Sequence, residues 1–106
     1  MTMSYLRVTW IHSLPDEPRL LYSELDERRM ERRKIEIYPD GRWGFADEDE
    51  EAGRAGLGEV AVPSVAEISA DPQFEAFEVE HAEFERLWDA RRGACVWAPR
   101  PIGNEA

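Results

Sequence analysis

Residues 34–45 read as a strand, a tight turn and a returning strand, and this hairpin constrains the fold more than any other segment. The turn is Pro39-Asp40-Gly41. Proline presets a negative φ, and glycine adopts a positive φ at low cost. Trp43 and Phe45 then fall on one side of the returning strand. Because the turn is so short, the two strands must be antiparallel neighbours, and the sequence predicts an antiparallel sheet.

Alternation of apolar and polar residues with period two predicts the other strands. It runs through residues 5–11 and 19–25, and a strand over residues 30–38 follows a tight turn near Asp26. With the strand over residues 42–46, these segments form a four-stranded meander. Phe74, Phe77 and Val79 are apolar residues in an extended stretch and predict a fifth strand over residues 74–79.

Two helices are predicted after the meander. Ser64-Val-Ala-Glu67 has the spacing of a capping box, in which the serine caps the helix and the glutamate reaches back to the cap. Phe84, Leu87 and Trp88 recur at i, i+3 and i+4, and this spacing predicts one apolar stripe on a helix over residues 81–91.

The predicted fold class is therefore α+β: a four- to five-stranded antiparallel meander with two helices packed on one face. Residues 1–92 form the single domain, and residues 93–106 form an extended tail that contains two prolines. We expect the apolar stripe of the second helix to cover the sheet face that carries Leu6, Val8, Trp10, Ile35 and Ile37.

Composition favours a cytoplasmic protein. Cys95 is the one cysteine in the sequence and cannot form an internal disulfide. No apolar run approaches the roughly 20 residues of a membrane span, and the N-terminus has no basic region followed by an apolar stretch. We therefore expect no membrane association.

Charge is distributed unevenly along the chain. Residues 47–89 contain fourteen acidic residues and two arginines, and they account for more than the whole formal net charge of −10. A negative field repels phosphate backbones, so nucleic acid is an unfavourable partner. Solubility alone explains such a charge; a basic protein partner is the functional interpretation.

Four sequence segments together resemble a known family. They are Tyr5-Leu-Arg-Val-x-Trp, the segment Leu21-Tyr-Ser-Glu-Leu-Asp26, the pattern Arg33-Lys-x-Glu-x-x-x-Asp-Gly41 and Phe84-Glu-x-x-Trp88. The chain resembles, over about residues 4–90, a family of small bacterial proteins that is common in actinobacteria and is described as a domain of unknown function. The resemblance implies a bacterial, stand-alone cytoplasmic domain and carries no activity or catalytic residues.

The polar side of the predicted sheet is the first candidate binding site. If both helices cover the apolar face, the open face presents arginine and tyrosine, which are frequent at protein-recognition hot spots. Cross-strand ion pairs on a solvated face are the simpler interpretation. The candidate residues are Tyr5, Arg7, Tyr22, Glu24, Arg32, Lys34, Glu36 and Tyr38.

The second candidate is the run of acids Asp47, Glu48, Asp49, Glu50 and Glu51. Adjacent carboxylates repel one another and glycines follow, so we expect a flexible exposed loop. The alternating oxygen ligands of a calcium loop are missing from the pattern. Contact with a protein partner or plain solvation therefore explains the segment better than a metal.

We find no motif that predicts catalysis, a cofactor or a metal. His12 and His81 are far apart in the sequence, and Cys95 has no base beside it. The function predicted is a small, acidic, non-enzymatic protein-binding domain, in one form an immunity- or antitoxin-like protein that neutralises a basic partner. The alternatives are a small enzyme or small-ligand domain on the polar sheet face, and an accessory subunit of a bacterial complex. The oligomeric state does not follow from the sequence.

Overall fold

The computed structural model describes residues 2–96, which fold as an α+β domain around one antiparallel sheet. The strands are β1 (Ser4–Trp10), β2 (Leu20–Leu25), β3 (Glu31–Ile37), β4 (Trp43–Ala46), β5 (Glu51–Ala52) and β6 (Phe74–Glu78). The helices are α1 (Val65–Ser69) and α2 (His81–Ala90), and a 3-10 turn, Arg91–Gly93, follows α2 directly.

The sheet has the order β5-β4-β3-β2-β1-β6. Its first five strands form a meander, as predicted, and the strand predicted over residues 74–79 pairs with β1. The sheet has six strands, one more than the four to five predicted, because the two residues of β5 pair with β4. Turn chemistry explains the connections. Asp26 Oδ1 accepts the N–H groups of Arg28 and Met30 at 2.9 and 3.0 Å, and Gly41 has a φ of 89°.

Strand register decides which side chains share a face, because directly opposed residues of antiparallel strands point the same way. One row joins Arg7, Tyr22, Ile35 and Phe45 across four strands. The next row, Leu6, Ser23, Lys34 and Ala46, points to the other side. We call the side that carries Arg7 and Tyr22 the helix face, because α2 packs on it. We call the side that carries Leu6 and Ser23 the groove face, because a groove lies on it.

Helix α2 packs on the helix face and forms the main core there. Phe84 and Trp88 bury themselves against the tyrosine, isoleucine and phenylalanine side chains of β1–β4; the buried members of this core are Tyr5, Tyr22, Ile35, Phe45, Phe84 and Trp88. The apolar stripe of α2 is therefore confirmed, but the predicted sheet partners Leu6, Val8 and Trp10 are wrong. They belong to the groove face, and Trp10 contacts Phe74 at 5.9 Å between ring centroids.

Helix α1 lies on the other side of the sheet, where Ile68 shares a groove with Leu6, Val8 and Leu21. The prediction of two helices on one face is therefore wrong. Strands β1 and β2 carry large apolar side chains on both faces, so alternation alone does not tell which face a helix covers. The capping box of α1 is confirmed: Ser64 Oγ accepts the Glu67 N–H at 3.1 Å, and Glu67 Oε1 accepts the Ser64 N–H at 3.0 Å.

Both edges of the sheet are protected. At the β6 edge, Ser69 of α1 accepts the Ala76 N–H at 3.1 Å. At the other edge, Trp43 donates its N–H to the Cys95 carbonyl at 2.8 Å, and Val96 makes a parallel bridge with Trp43. Short or covered edges resist pairing with other chains. Residues 97–106 of the predicted tail, with Trp97, lie outside the described residues.

Trp88 is the side chain whose removal should cost most in this core. It is 7% exposed, and its ring lies 6.1 Å from the Phe45 ring and 6.2 Å from the Phe84 ring. Trp88→Ala should lower the free energy of unfolding by about 3–5 kcal/mol, because it leaves a large cavity. Urea denaturation measures this change. The control is Leu14→Ala, at a half-exposed position, and an equal, small effect of both substitutions would contradict the packing.

Candidate functional site

The predicted polar face is not a single face. Tyr5, Arg7, Tyr22 and Glu24 lie on the helix face, because Tyr22 is opposed to Ile35 rather than to Lys34. Lys34 and Glu36 lie on the groove face, and Tyr38, at the end of their strand, is buried at 3% exposure. Arg32 sits at the register shift between β2 and β3. The prediction that these eight residues share one open face of the sheet is therefore wrong.

On the helix face, the candidates Tyr5 and Glu24 are part of a polar network that joins α2 to the sheet. Arg33 donates from Nε and Nη2 to the two oxygens of Glu24, each at 2.7 Å. Tyr5 donates its hydroxyl to Glu24 at 2.9 Å. Arg33 also pairs with Glu85 of α2, whose carboxylate lies 2.9 Å from His81 Nε2. These side chains are engaged in holding the helix.

The network shifts the pKa values of its members. Burial acts to raise the pKa of Glu24, but hydrogen bonds from Arg33 and Tyr5 outweigh it and hold that pKa below its ordinary value. Burial and the hydrogen bond to Glu24 raise the pKa of Tyr5 to about 12. Glu24 is thus a stabilised carboxylate and Tyr5 a neutral phenol, and neither has the character of a general acid or base near neutral pH.

Of the other two candidates on the helix face, Tyr22 belongs to the buried core, and Arg7 stacks on an aromatic ring. Its guanidinium carbon lies 5.1 Å from the centroid of the Phe77 ring. The same cation–π stacking occurs over the core. The guanidinium carbon of Arg33 lies 5.0 Å from the Phe84 centroid, and that of Arg91 lies 3.9 Å from the Trp88 centroid. Stacked guanidinium groups stabilise packing, so Arg7 contributes to covering this side of the sheet.

The acidic segment 47–51 forms a hairpin turn in which Glu48, Asp49 and Glu51 are exposed. Asp47 Oδ1 accepts the N–H groups of Asp49 and Glu50 at 2.8 and 2.9 Å, and Glu51 begins β5. Glu48 pairs with Arg32 at 3.1 Å.

Glu50 of the same turn reaches the chain that follows α2. Its carboxylate lies 2.8 Å from Arg92 Nη2 and 3.7 Å from Arg91 Nη2. Part of this charge therefore fastens the β4–β5 turn to the neighbouring elements. Within residues 2–96, no three histidine, cysteine or acidic side chains are grouped as a metal site requires.

The groove face contains a cavity of about 530 Å³ that sequence reasoning missed. Its floor is Leu6, Val8 and Leu21 of β1 and β2, and Trp10 and Phe74 line it beyond the floor. One wall is the segment Val62-Pro63, and the other is α1 with Glu67, Ile68 and Asp71. We call this cavity the groove. Alternation identifies its floor residues as one face of a sheet, but only the placement of α1 leaves Val8 and Leu21 partly exposed, whereas Leu6 is fully buried.

Arg29 fixes the wall opposite α1. It has a φ of 62°, an uncommon left-handed conformation for a residue other than glycine. This backbone directs its side chain to the groove wall, where Nε donates to the Val62 carbonyl and Nη2 to the Pro63 carbonyl, both at 2.7 Å. The Val62 N–H in turn donates to the Arg29 carbonyl at 2.8 Å. The wall is thus tied to the β2–β3 turn.

A polar cluster lines the groove where it meets β3. Ser23 donates to one Glu31 oxygen at 3.1 Å, and the other accepts the Gly58 N–H at 2.7 Å. Lys34 Nζ lies 3.4 Å from Glu31 Oε1 and 3.7 Å from Glu36 Oε2, and it donates to the Gly56 carbonyl at 3.3 Å. The ammonium group thus has one carbonyl hydrogen bond and two carboxylate ion pairs.

Glu36 differs from Glu24 in its environment. Burial raises the pKa of Glu36, and the nearby charge of Lys34 offsets the rise in part. Burial also raises the pKa of its neighbour Tyr38 to about 12. Gly44, at the opposed position of β4, lies under Ala55, so this part of the sheet is roofed by the chain after β5. Glu36 and Tyr38 are therefore buried polar groups.

The two histidines have separate local roles. His12 lies 2.9 Å from the Pro18 carbonyl and accepts the Leu14 N–H at 2.8 Å, which shapes the β1–β2 connection. The His81 ring stacks on Tyr5 with 4.8 Å between centroids. Cys95 is exposed beside β4. None of the three lines the groove.

The opposite pKa shifts of Glu24 and Glu36 predict opposite pH dependence. The lowered pKa of Glu24 contributes stability that is present above the ordinary glutamate value of 4.5 and is lost as pH falls through the folded-state pKa. The raised pKa of Glu36 costs stability at neutral pH, and the cost disappears on acidification.

Between about pH 7 and about pH 3.5, Glu24→Gln should therefore lose less stability than the parent, and Glu36→Gln should lose more. Urea denaturation of the three proteins at each pH measures the difference. Each variant serves as the control for the other. Parallel pH curves for the two variants would show that the network and the roofed site do not shift these carboxyl groups.

Comparison with known proteins gives one family match. Residues 4–93 match the model of a family described as "Domain of unknown function (DUF6881)". No curated protein and no solved structure matches the chain. Among the described residues, no helix combines the length and the apolar character needed to cross a membrane.

Proposed function

The chain belongs to the family of unknown function (DUF6881) whose model spans residues 4–93, and from its geometry we propose that it is a non-enzymatic protein-binding domain. The groove carries this proposal. An apolar cavity bordered by a few polar groups is the usual form of a binding site. The groove has better support than the predicted polar face, because the residues of that face are divided between the two sides of the sheet.

Exposed apolar side chains that are close in sequence to groove-lining residues favour a protein as the occupant. Val60 is 76% exposed and precedes the wall residue Val62 by two positions. Ile11 is 52% exposed and follows Trp10 directly. Apolar surface that continues outside a cavity is typical of a protein interface, in which one side chain is anchored and its neighbours cover the rim. A small ligand held inside the cavity would leave Val60 and Ile11 in water.

A basic partner suits the charge of the chain. The formal net charge is −10, and opposite charge speeds association between proteins. An immunity- or antitoxin-like role, in which the domain neutralises a basic toxin in a bacterial cytoplasm, is the form of this proposal that agrees with the small size, the acidity and the family resemblance. An accessory subunit of a bacterial complex would use the same groove.

The test compares two valines that receive the same substitution. Val60 is close in sequence to the groove-lining Val62, whereas Val96 is 38% exposed and lies at the edge of β4. Val60→Arg should weaken binding by roughly tenfold or more, because it removes apolar contact and adds positive charge facing a basic partner. Val96→Arg should leave binding unchanged. Parent and variants are immobilised, exposed to extract of the cells from which the gene comes, and the retained proteins are quantified by mass spectrometry.

A protein retained by the parent and by Val96→Arg, and lost from Val60→Arg, supports the groove as the site. Circular dichroism and urea denaturation first establish that both variants fold. Retention of the same proteins by all three forms would contradict the proposal. An unfolded Val60→Arg variant is replaced by Ile68→Arg, which places the charge on the opposite wall.

A further inference from the structure

We infer that the segment received by the groove is an apolar residue beside a basic one: a large apolar side chain fills the cavity, and an adjacent arginine or lysine is held by Glu67 and Asp71. This inference rests on the proposed function and adds the chemistry of the partner. The inference follows from a comparison of the groove's hydrogen-bonding groups: some have partners within the protein, and others have an atom without one.

The polar cluster at β3 has no unpaired cationic group that could bind an anion. Lys34 is the cation that lines the groove, and two carboxylates and the Gly56 carbonyl occupy its ammonium group. The hydroxyl proton of Ser23 is given to Glu31. A carboxylate or phosphate ligand would have to displace these contacts and would meet the charge of Glu31. An anionic occupant, such as a fatty acid, is therefore disfavoured.

The open groups of the groove are acceptors on α1 and its C-terminal turn. Glu67 uses Oε1 in the capping box, and Asp71 uses Oδ1 to accept the Gln73 N–H at 2.9 Å. The second oxygen of each carboxylate makes no hydrogen bond to residues 2–96 and is available to a donor. The two residues are four positions apart, so both carboxylates border the same wall of the groove.

The net charge of the groove-lining residues also favours a basic residue in the partner. Three carboxylates and one ammonium group line the groove: Glu31, Glu67 and Asp71 against Lys34. Arg29 stands behind the opposite wall, where its guanidinium donates to two carbonyls. The hydrogen bonds of the cap and the charge of Arg29 lower the pKa of Glu67, so that carboxyl is ionised at neutral pH. Even with Arg29 counted, the groove carries net negative charge and favours a cationic neighbour for its apolar occupant.

Short matched peptides test this chemistry directly. The probes are acetyl-Trp-Arg-amide, acetyl-Trp-Gln-amide and acetyl-Trp-Glu-amide, which share the apolar side chain and differ in charge. Each is titrated at millimolar concentration into ¹⁵N-labelled protein, and amide shifts are followed by NMR. The Arg peptide should bind about three- to fivefold tighter than the Gln peptide, the gain expected for partly exposed ion pairs. The Glu peptide should bind most weakly, and shifts should map to β1, β2 and α1.

Two matched double variants each remove two negative charges, one variant on the groove side of the sheet and the other on α2. Glu67→Gln with Asp71→Asn keeps the side-chain acceptors of the cap and turn, since glutamine also completes a capping box. It should bring the Arg and Gln peptides to within about twofold of each other. Glu83→Gln with Asp89→Asn makes the same charge change on α2 and should preserve the preference for arginine.

The outcomes separate the two proposals. Equal binding of all three peptides in the groove overturns the inference about the basic residue and leaves the groove as a protein-binding site. No groove shift with any peptide overturns the proposed function as well. Tryptamine, which joins an indole to a free amine, is the remaining probe: tighter binding of tryptamine than of the Arg peptide would identify a small-amine site and overturn a protein segment as the occupant.

Discussion

The contact on which the rest of this structure depends is that of Arg33 with α2. Its guanidinium lies 5.0 and 5.1 Å from the centroids of Phe84 and Trp88, and it donates both to Glu24 of the sheet and to Glu85 of the helix. A partly buried arginine is stable only when its charge is paired. Because these partners lie on two elements, the pairing fixes the position of α2 as well as the charge. The aromatic stripe of the helix is thereby held over the helix face.

Once α2 covers one face, the other face is left to a short helix and an irregular segment. The chain from Ala55 to Pro63 roofs β3 and β4, where Gly44 lies under Ala55. Helix α1 stands over β6 and the outer part of β1. Between these two coverings, Val8 of β1 and Leu21 of β2 stay partly exposed. The groove is therefore a consequence of incomplete cover on a sheet that is apolar on both sides, and its walls are fixed by Arg29 and by the Ser69–Ala76 contact.

The acidic residues have more than one physical role. Glu24 and Glu85 neutralise Arg33, Glu50 pairs with Arg91 and Arg92, and Asp47 closes a hairpin turn. Glu67 and Asp71 complete local backbone hydrogen bonds and still present an oxygen to the groove. Net charge alone does not distinguish these roles. The carboxylates that have an arginine partner stabilise the domain, and the recognition that we propose involves Glu67 and Asp71 at the apolar cavity.

The sequence by itself determined the α+β class, the meander, the turns at Asp26 and Pro39-Asp40-Gly41, the capping box of α1 and the apolar stripe of α2. These features depend on residues close together in the chain, whose φ preferences, caps and periodicity act locally. Only the tertiary structure decided which face each helix covers. It also decided the roles of Tyr5 and Glu24, the order in the acidic turn, and the groove. Each of these depends on strand register, which sets Tyr22 beside Ile35, and on contacts such as Arg33 with Glu85, 52 residues apart, which no local pattern specifies.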